Sequence, residues 1–281
     1  MTTPQDTRNL ALFCDFENVA LGVREAKYDK FDIGLVLERL LLKGSIVVKK
    51  AYCDWERYKD FKGGMHEASF ELIEIPHVRM SGKNSADIRM VVDALDLCYT
   101  KSHVDTFVII SGDSDFSPLV SKLRENNKTV IAIGVKNSTS NLLIANCDEF
   151  IFYDDLVREQ KGKTKKTEKK PARGKAAPAA AAVAAPATPA EDKDKDKDKK
   201  QEAFDLVLAT TEALSAERDA EDKIWGSMVK QALKRRNPGF SESSYGFKSF
   251  NQLLEEAAAR KLLVLERDEK SGGYIVRGVA Q

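Results

Sequence analysis

Two carboxylates, Asp113 and Asp115, flank a single serine just after the apolar run Phe107-Val108-Ile109-Ile110. Carboxylates at this spacing can share one hard cation, and a cation so held can activate water or stabilise a leaving oxygen. Taken alone, the pair also reads as a turn residue and a helix cap, because Asp serves both purposes. Two further acidic positions shift the balance. Asp15 ends a second apolar run, Leu10-Ala11-Leu12-Phe13-Cys14, and Asp87 opens a helical stretch whose inward face continues at Val91, Ala94 and Leu95. Carboxylates crowded at one edge repel unless a divalent cation neutralises them, and oxygen-only ligands favour Mg²⁺ or Mn²⁺ over zinc. His66, His77 and His103 fall outside these stretches, which argues against a histidine-based metal site or triad. No Walker motif and no Gly-x-Gly-x-x-Gly is present. Metal-assisted hydrolysis of a phosphodiester needs just such a carboxylate cluster, to hold ions that activate water and stabilise the leaving oxygen.

These positions need a scaffold, and the chain supplies one in alternating pieces. Leu10 to Cys14, Ile46 to Tyr52, Phe70 to Ile75, Phe107 to Ile110, Thr129 to Val135 and Phe150 to Tyr153 read as strands. Helices are expected over Phe31 to Leu42, Trp55 to Ala68, Asp87 to Tyr99, and from Pro118 to Asn127. Strands and helices alternating at this spacing imply an α/β fold, a doubly wound parallel sheet with helices on both faces. The acidic positions then lie at its carboxyl edge, where such sheets bind ligands.

Net charge is +1 over 281 residues, but the charge is segregated. Residues 1–158 carry 20 basic and 24 acidic side chains, residues 159–200 carry 13 and 7, and residues 201–281 carry 12 and 13. The middle segment begins with a basic tract, continues as an Ala/Pro run and ends in alternating Asp and Lys. It reads as a disordered linker, able to attract nucleic acid at low salt. After it, helices are expected around Phe204 to Leu214, from Ile224-Trp225 to Arg236, and from Ser241 or Ser243 through Phe247, Phe250 and Leu254. Leu262 to Leu265 and Tyr274 to Val276 read as a β-hairpin, which completes a winged-helix plan for residues 201–281. Cys14, Cys53, Cys98 and Cys147 are widely spaced, as suits a reducing cytoplasm and neither a disulfide framework nor a zinc site. No apolar run approaches membrane-spanning length, and residues 1–9 lack a signal-peptide core.

Cys14-Asp15-Phe16-Glu17-Asn18, Ser85-Ala86-Asp87 with Asp93 downstream, and Ser111-Gly112-Asp113-Ser114-Asp115-Phe116 together resemble the NYN domain, a branch of the PIN-like metal-dependent ribonucleases that includes LabA-like proteins. The resemblance covers roughly residues 8–155. It implies a PIN-like sandwich over residues 1–158, with Asp15, Asp87 and Asp113 as the metal site, Asp115 supporting them and Asn18 orienting substrate or a metal-bound water. Asp93, six residues beyond Asp87 and so on another face of the helix, is expected to be structural. Many relatives have Lys-Gly-Val-Asp where this chain has Lys83-Asn84-Ser85-Ala86-Asp87, which makes Lys83 a displaced candidate for phosphate binding. Trp225-Gly226-Ser227, Asn237-Pro238-Gly239-Phe240 and Tyr245-Gly246-Phe247-Lys248-Ser249-Phe250 resemble the OST-HTH/LOTUS domain, whose association is with RNA. Within it Lys234, Arg235, Arg236 and Lys248 are the candidates for phosphate contact.

The expected function is therefore a metal-dependent ribonuclease, an endonuclease, with Mg²⁺ or Mn²⁺ as cofactor and RNA as partner. A second copy of the chain, or a protein held by the C-terminal module, is the other partner class to be weighed. The competing reading is an RNA-binding regulator whose nuclease fold is silent. A haloacid-dehalogenase-type phosphatase would need Asp-x-Asp after the first strand, where Asp15-Phe16-Glu17 stands. A receiver domain would need an Asp after the third strand, where Pro76-His77 stands. Trp55 and Cys14 are expected to be core residues.

Overall fold

The structure, a computed structural model, describes residues 8–75, 84–167, 191–216, 223–268 and 272–279. The chain divides into two compact units, broadly residues up to 160 and residues beyond. The first contains strands β1 (Asn9–Asp15), β2 (Ser45–Cys53), β3 (Glu71–Glu74), β4 (Thr106–Ile110), β5 (Thr129–Gly134) and β6 (Glu149–Phe152). They form one sheet in the order β3-β2-β1-β4-β5-β6, every pairing parallel. Helices α1 (Phe16–Glu25), α2 (Ile33–Leu41) and α3 (Lys59–Glu67) carry the chain from β1 out to β3. Helices α4 (Ser85–Thr100), α5 (Ser117–Glu125) and α6 (Asn141–Asn146) carry it back across to β4 and on to β6, and α7 (Tyr153–Thr167) follows.

Right-handed crossovers put helices on one face when the chain moves one way along the sheet and on the other when it reverses. The packing follows that rule. Leu10, Leu12 and Cys14 of β1 share a core with Val19 of α1, Val36 of α2 and Met65 of α3. Ala11 and Phe13 share the opposite core with Met90 of α4, Val120 of α5 and Leu143 of α6. Both faces of the central strands are dry, which explains their uninterrupted apolar runs. The reversal falls between β1 and β4, where the connections diverge and a crevice opens at the carboxyl ends.

Several boundaries differ from the sequence reading. Helix α1 follows β1 with no intervening turn and was not expected. Trp55 is not helical: it is buried with its ring 4.9 Å from Phe16, and α3 starts at Lys59. Tyr153 opens α7 instead of closing β6.

The second unit comprises α8 (Glu191–Ala216), β7 (Ile224–Trp225), α9 (Gly226–Arg236), a 3₁₀ turn at Glu242–Tyr245, α10 (Phe250–Ala259), β8 (Leu263–Arg267) and β9 (Tyr274–Val279). The strands pair antiparallel in the order β7-β9-β8. Phe204, Val229, Leu233, Phe247, Leu253 and Val276 lie in its core. Ile224-Trp225 is thus a strand, held by Val276 and Ile275, and not the start of a helix. The last helix begins at Phe250 behind a Ser249 cap, not at Ser241 or Ser243.

The expected linker is helical where it is described. Helix α7 continues to Thr167 and α8 begins at Glu191, while residues 168–190 lie outside the described residues. Between Pro189 and the end of α8 no proline interrupts, and the helix continues into the buried residues Ala203, Phe204 and Val207. Lys200, at the expected end of the linker, pairs with Glu256 at 3.2 Å and lies 5.1 Å from the Phe247 ring centre. Among the described residues no helix is long and apolar enough to cross a membrane.

One close approach tests the packing beneath the crevice. The Ser140 N–H donates to the Gly112 carbonyl at 2.9 Å, and a Cβ on Gly112 would meet the Ser138 carbonyl oxygen at 2.5 Å. Gly63, exposed in α3, has nothing within 4 Å of such an atom. Gly112→Ala is expected to cost about 1–3 kcal/mol through overpacking. Gly63→Ala should stabilise by about 0.5–1 kcal/mol through helix propensity. Urea denaturation of the two variants checks both signs.

Candidate active site

The β1–β4 register, Cys14 opposite Ile110, brings Asp15 and Ser111 side by side at the crevice. Asp15 ends the strand and caps α1, its Oδ1 accepting the Asn18 backbone N–H at 3.3 Å. Its Oδ2 accepts the Ser111 hydroxyl at 2.9 Å, and the Ser111 oxygen in turn accepts the Asp113 N–H at 3.2 Å. The Asn18 Oδ1 accepts the Gly112 N–H at 2.9 Å. Asp113 caps the 3₁₀ turn Ser114–Phe116, its Oδ1 accepting the Asp115 N–H at 3.0 Å. The reading of this acidic turn as turn residue and helix cap is thus what the hydrogen bonds of Asp113 display.

Asp87, in the first turn of α4, is half-buried. Burial and then the charges of Asp113, Asp115 and Glu17 push its carboxyl up to about 6. Asp15 is almost fully buried. Burial first, then the Asp87 charge, push it up to about 7, against hydrogen bonds from Ser111 and Asn18, with Asp113 adding to the rise. Asp15 thus feels Asp87 and Asp113, and Asp87 feels Asp113 and Asp115, with no basic side chain among the influences given by the described residues. Among the described residues, however, no three carboxylate, imidazole or thiolate groups stand where they would together hold a metal ion. The donor set suits a hard cation that keeps part of its water shell, as Mg²⁺ does.

The remaining candidates are distributed as follows. Asp93 is structural: it accepts Tyr52 Oη at 2.9 Å and Arg89 Nε at 3.0 Å, with Lys50 Nζ at 3.5 Å. Lys83 lies outside the described residues. Lys234, Arg235 and Arg236 form the last turn of α9, and Arg236 donates to the Ala209 carbonyl at 3.2 Å. Lys248 lies just before α10, its backbone N–H bonded to the Gln252 side chain at 2.8 Å. These four belong to the second unit. Ser111 entered the sequence reading only as the first residue of the motif Ser111-Gly112-Asp113-Ser114-Asp115-Phe116, with no role of its own. Its part in joining Asp15 to Asp113 depends on the strand order, which no local pattern encodes.

A family model described as NYN domain matches residues 9–154, more than half of the chain. The protein belongs to the NYN domain family. Its NYN domain carries the α/β fold and the six-stranded parallel sheet that fit a PIN-like domain, and it places the chain in the PIN-like nuclease superfamily. An uncharacterized protein of Methanocaldococcus jannaschii is 31% identical to it over 142 residues, 48% of this chain and 54% of that protein. The chain thus spans about half the length of the curated relative it matches. A solved structure of a protein of unknown function from Vibrio parahaemolyticus is 28% identical, with a TM-score of 0.49, covering 55% of this chain and 98% of that one.

The raised carboxyls of the NYN domain make its metal-free stability fall with pH. A carboxyl whose folded value lies above its ordinary 3.8 binds its proton more tightly when folded. That contribution is complete below pH 4 and is lost as the pH rises through about 6 and about 7. In EDTA, the melting temperature is expected to drop between pH 5 and pH 8. Asp15→Asn, which keeps a hydrogen-bond acceptor, should flatten the profile, and Mg²⁺ should restore stability at the upper end. A wild-type profile already flat in EDTA would show that neither burial nor neighbouring charge raises these carboxyls.

Proposed function

We propose that this NYN protein is a metal-dependent ribonuclease that cuts RNA internally, assisted by a C-terminal RNA-binding module of OST-HTH/LOTUS type. One observation carries the reading: Asp15 and Asp87, from β1 and α4, are both pushed up by burial and by neighbouring carboxylates, Asp113 among them, at the edge where β1 and β4 end. Such convergence is costly unless something cationic is bound there. In this reading Asp15, Asp87 and Asp113 hold Mg²⁺ or Mn²⁺ with Asp115 beside them. When bound, the ion supplies Lewis acidity and a lowered pKa for water. The protein's own groups fix the geometry. Ser111 and the α1 backbone hold Asp15, and the Asp115 N–H holds Asp113. Asn18 spends its carbonyl oxygen on Gly112 and keeps its Nδ2 donors for a substrate oxygen.

The competing reading, a silent RNA-binding regulator, draws on the absence of a ready three-donor group among the described residues. A circular single-stranded RNA incubated with Mg²⁺, Mn²⁺ or EDTA separates the two, since only an endonuclease can open it. Metal-dependent opening is expected, reduced by on the order of 10²–10³ in Asp113→Asn. The metal should also stabilise wild type by about 2.7 kcal/mol at a hundredfold excess over Kd, and do so far less in the variant. Opening that survives both EDTA and Asp113→Asn would refute the assignment. Metal stabilisation without opening would favour the regulator.

For the second unit, helices α8 to α10 and the small antiparallel sheet are the elements a winged-helix module uses, and α9 ends in three consecutive cations. Replacing Lys234, Arg235 and Arg236 together by alanine should raise KM for long RNA and leave kcat unchanged, because binding remote from the bond acts equally on ground and transition states. The dependence of affinity on salt should become shallower by about 2 for a single strand. An unchanged slope would remove these residues from the RNA path.

A further inference from the structure

RNA must bring phosphates to an edge crowded with carboxylates, so cations are needed on its rim. Arg57, in the connection between β2 and α3, is placed there. Its Nη1 donates to Glu17 Oε1 at 3.1 Å, and Glu17 sits in the first turn of α1, two residues after Asp15. The Glu17 charge is felt at Asp87, which fixes Arg57 beside the acidic group and not on a remote surface. The side chain is 52% exposed and engages Glu17 through one nitrogen. Most of its five N–H donors therefore stay available. A pair this exposed contributes little to stability, so folding alone gives weak reason for it.

Two neighbours extend the patch. Tyr58 packs edge-on against Phe16, with ring centres 5.6 Å apart, and its phenol feels the charges of Glu17, Arg57 and Arg24. Its hydroxyl has no hydrogen-bond partner among the described residues. Arg24, exposed in the last turn of α1, makes no ion pair among the described residues. From Glu17 to Arg24 the helix rises about 10 Å, so the cations line a path along α1 away from Asp15.

We propose that Arg57, with Tyr58 and Arg24, is a phosphate-binding patch that holds the RNA backbone next to the acidic site. The patch rests on the nuclease reading for its purpose, but its binding can be measured without cleavage.

The test uses the full-length protein in the Lys234, Arg235, Arg236→Ala background, to lower competing affinity. Binding of a short fluorescent single-stranded RNA is followed by anisotropy in EDTA over a range of salt. Arg57→Ala should weaken binding about three- to tenfold and make the salt slope shallower by about 0.7. Arg57→Lys should keep most of the slope. Glu17→Gln should tighten binding, because it releases the guanidinium and removes an anion from the path. If Arg57 served only to neutralise Glu17, Arg57→Ala would have no effect in the Glu17→Gln background, and that result, or an unchanged slope in Arg57→Ala, overturns the patch. With Mn²⁺, Arg57→Ala should raise KM and spare kcat. Loss of binding in Arg57→Ala, in a wild type that never cleaves, upholds the patch and overturns the nuclease. Normal cleavage with binding unaltered by Arg57→Ala does the reverse.

Discussion

The hydroxyl of Ser111 is the joint of the first unit. It gives its proton to Asp15 and takes one from the Asp113 backbone, so the ends of β1 and β4 are tied through a single oxygen. A carboxyl as deeply buried as Asp15 would be expensive without such a partner. The bond exists only because β1 and β4 are neighbours, and they are neighbours only because the chain reverses direction after β3. The dry cores on both faces hold those two strands in place. The second tie, from Asn18 to Gly112, repeats the constraint one turn further along α1.

Much of this was legible in the residues. Strands buried on both faces show as apolar runs, and an acidic residue follows two of them where the sheet ends. Asp93 could be set aside from helical geometry alone, and it is occupied by Tyr52 and Arg89. The missed features share a physical cause, dependence on partners distant in sequence or on the absence of a break. Helix α1 starts without any turn residue, and its signals were the cap Asp15 with Asn18 and the spacing Phe16, Val19, Val23. Ile224-Trp225 is too short to declare itself, and its strand character comes from Val276 and Ile275, about fifty residues on. The charged run after Glu191 reads as solvated chain by composition, whereas it belongs to a helix whose later residues Ala203, Phe204 and Val207 are buried. Arg57 belongs to no motif, so only the folded chain shows it beside Glu17.

Charge is distributed unevenly over the chain. In the NYN unit Asp15 and Asp87 feel the charges of neighbouring carboxylates at one edge of the sheet. In the second unit α9 ends in a basic turn. The raised carboxyls of the first unit make it less stable near neutral pH than in acid.

The junction of β1 and α1 has no slack. Asp15 is at once the last residue of the strand and the cap of the helix, and Phe16 already belongs to the helix. Adding or removing one residue near the end of β1 would turn Asp15 to the other face of the sheet. An insertion after Asp15 would part the cap from its helix. The length of this stretch is therefore fixed by the cap and the sheet together.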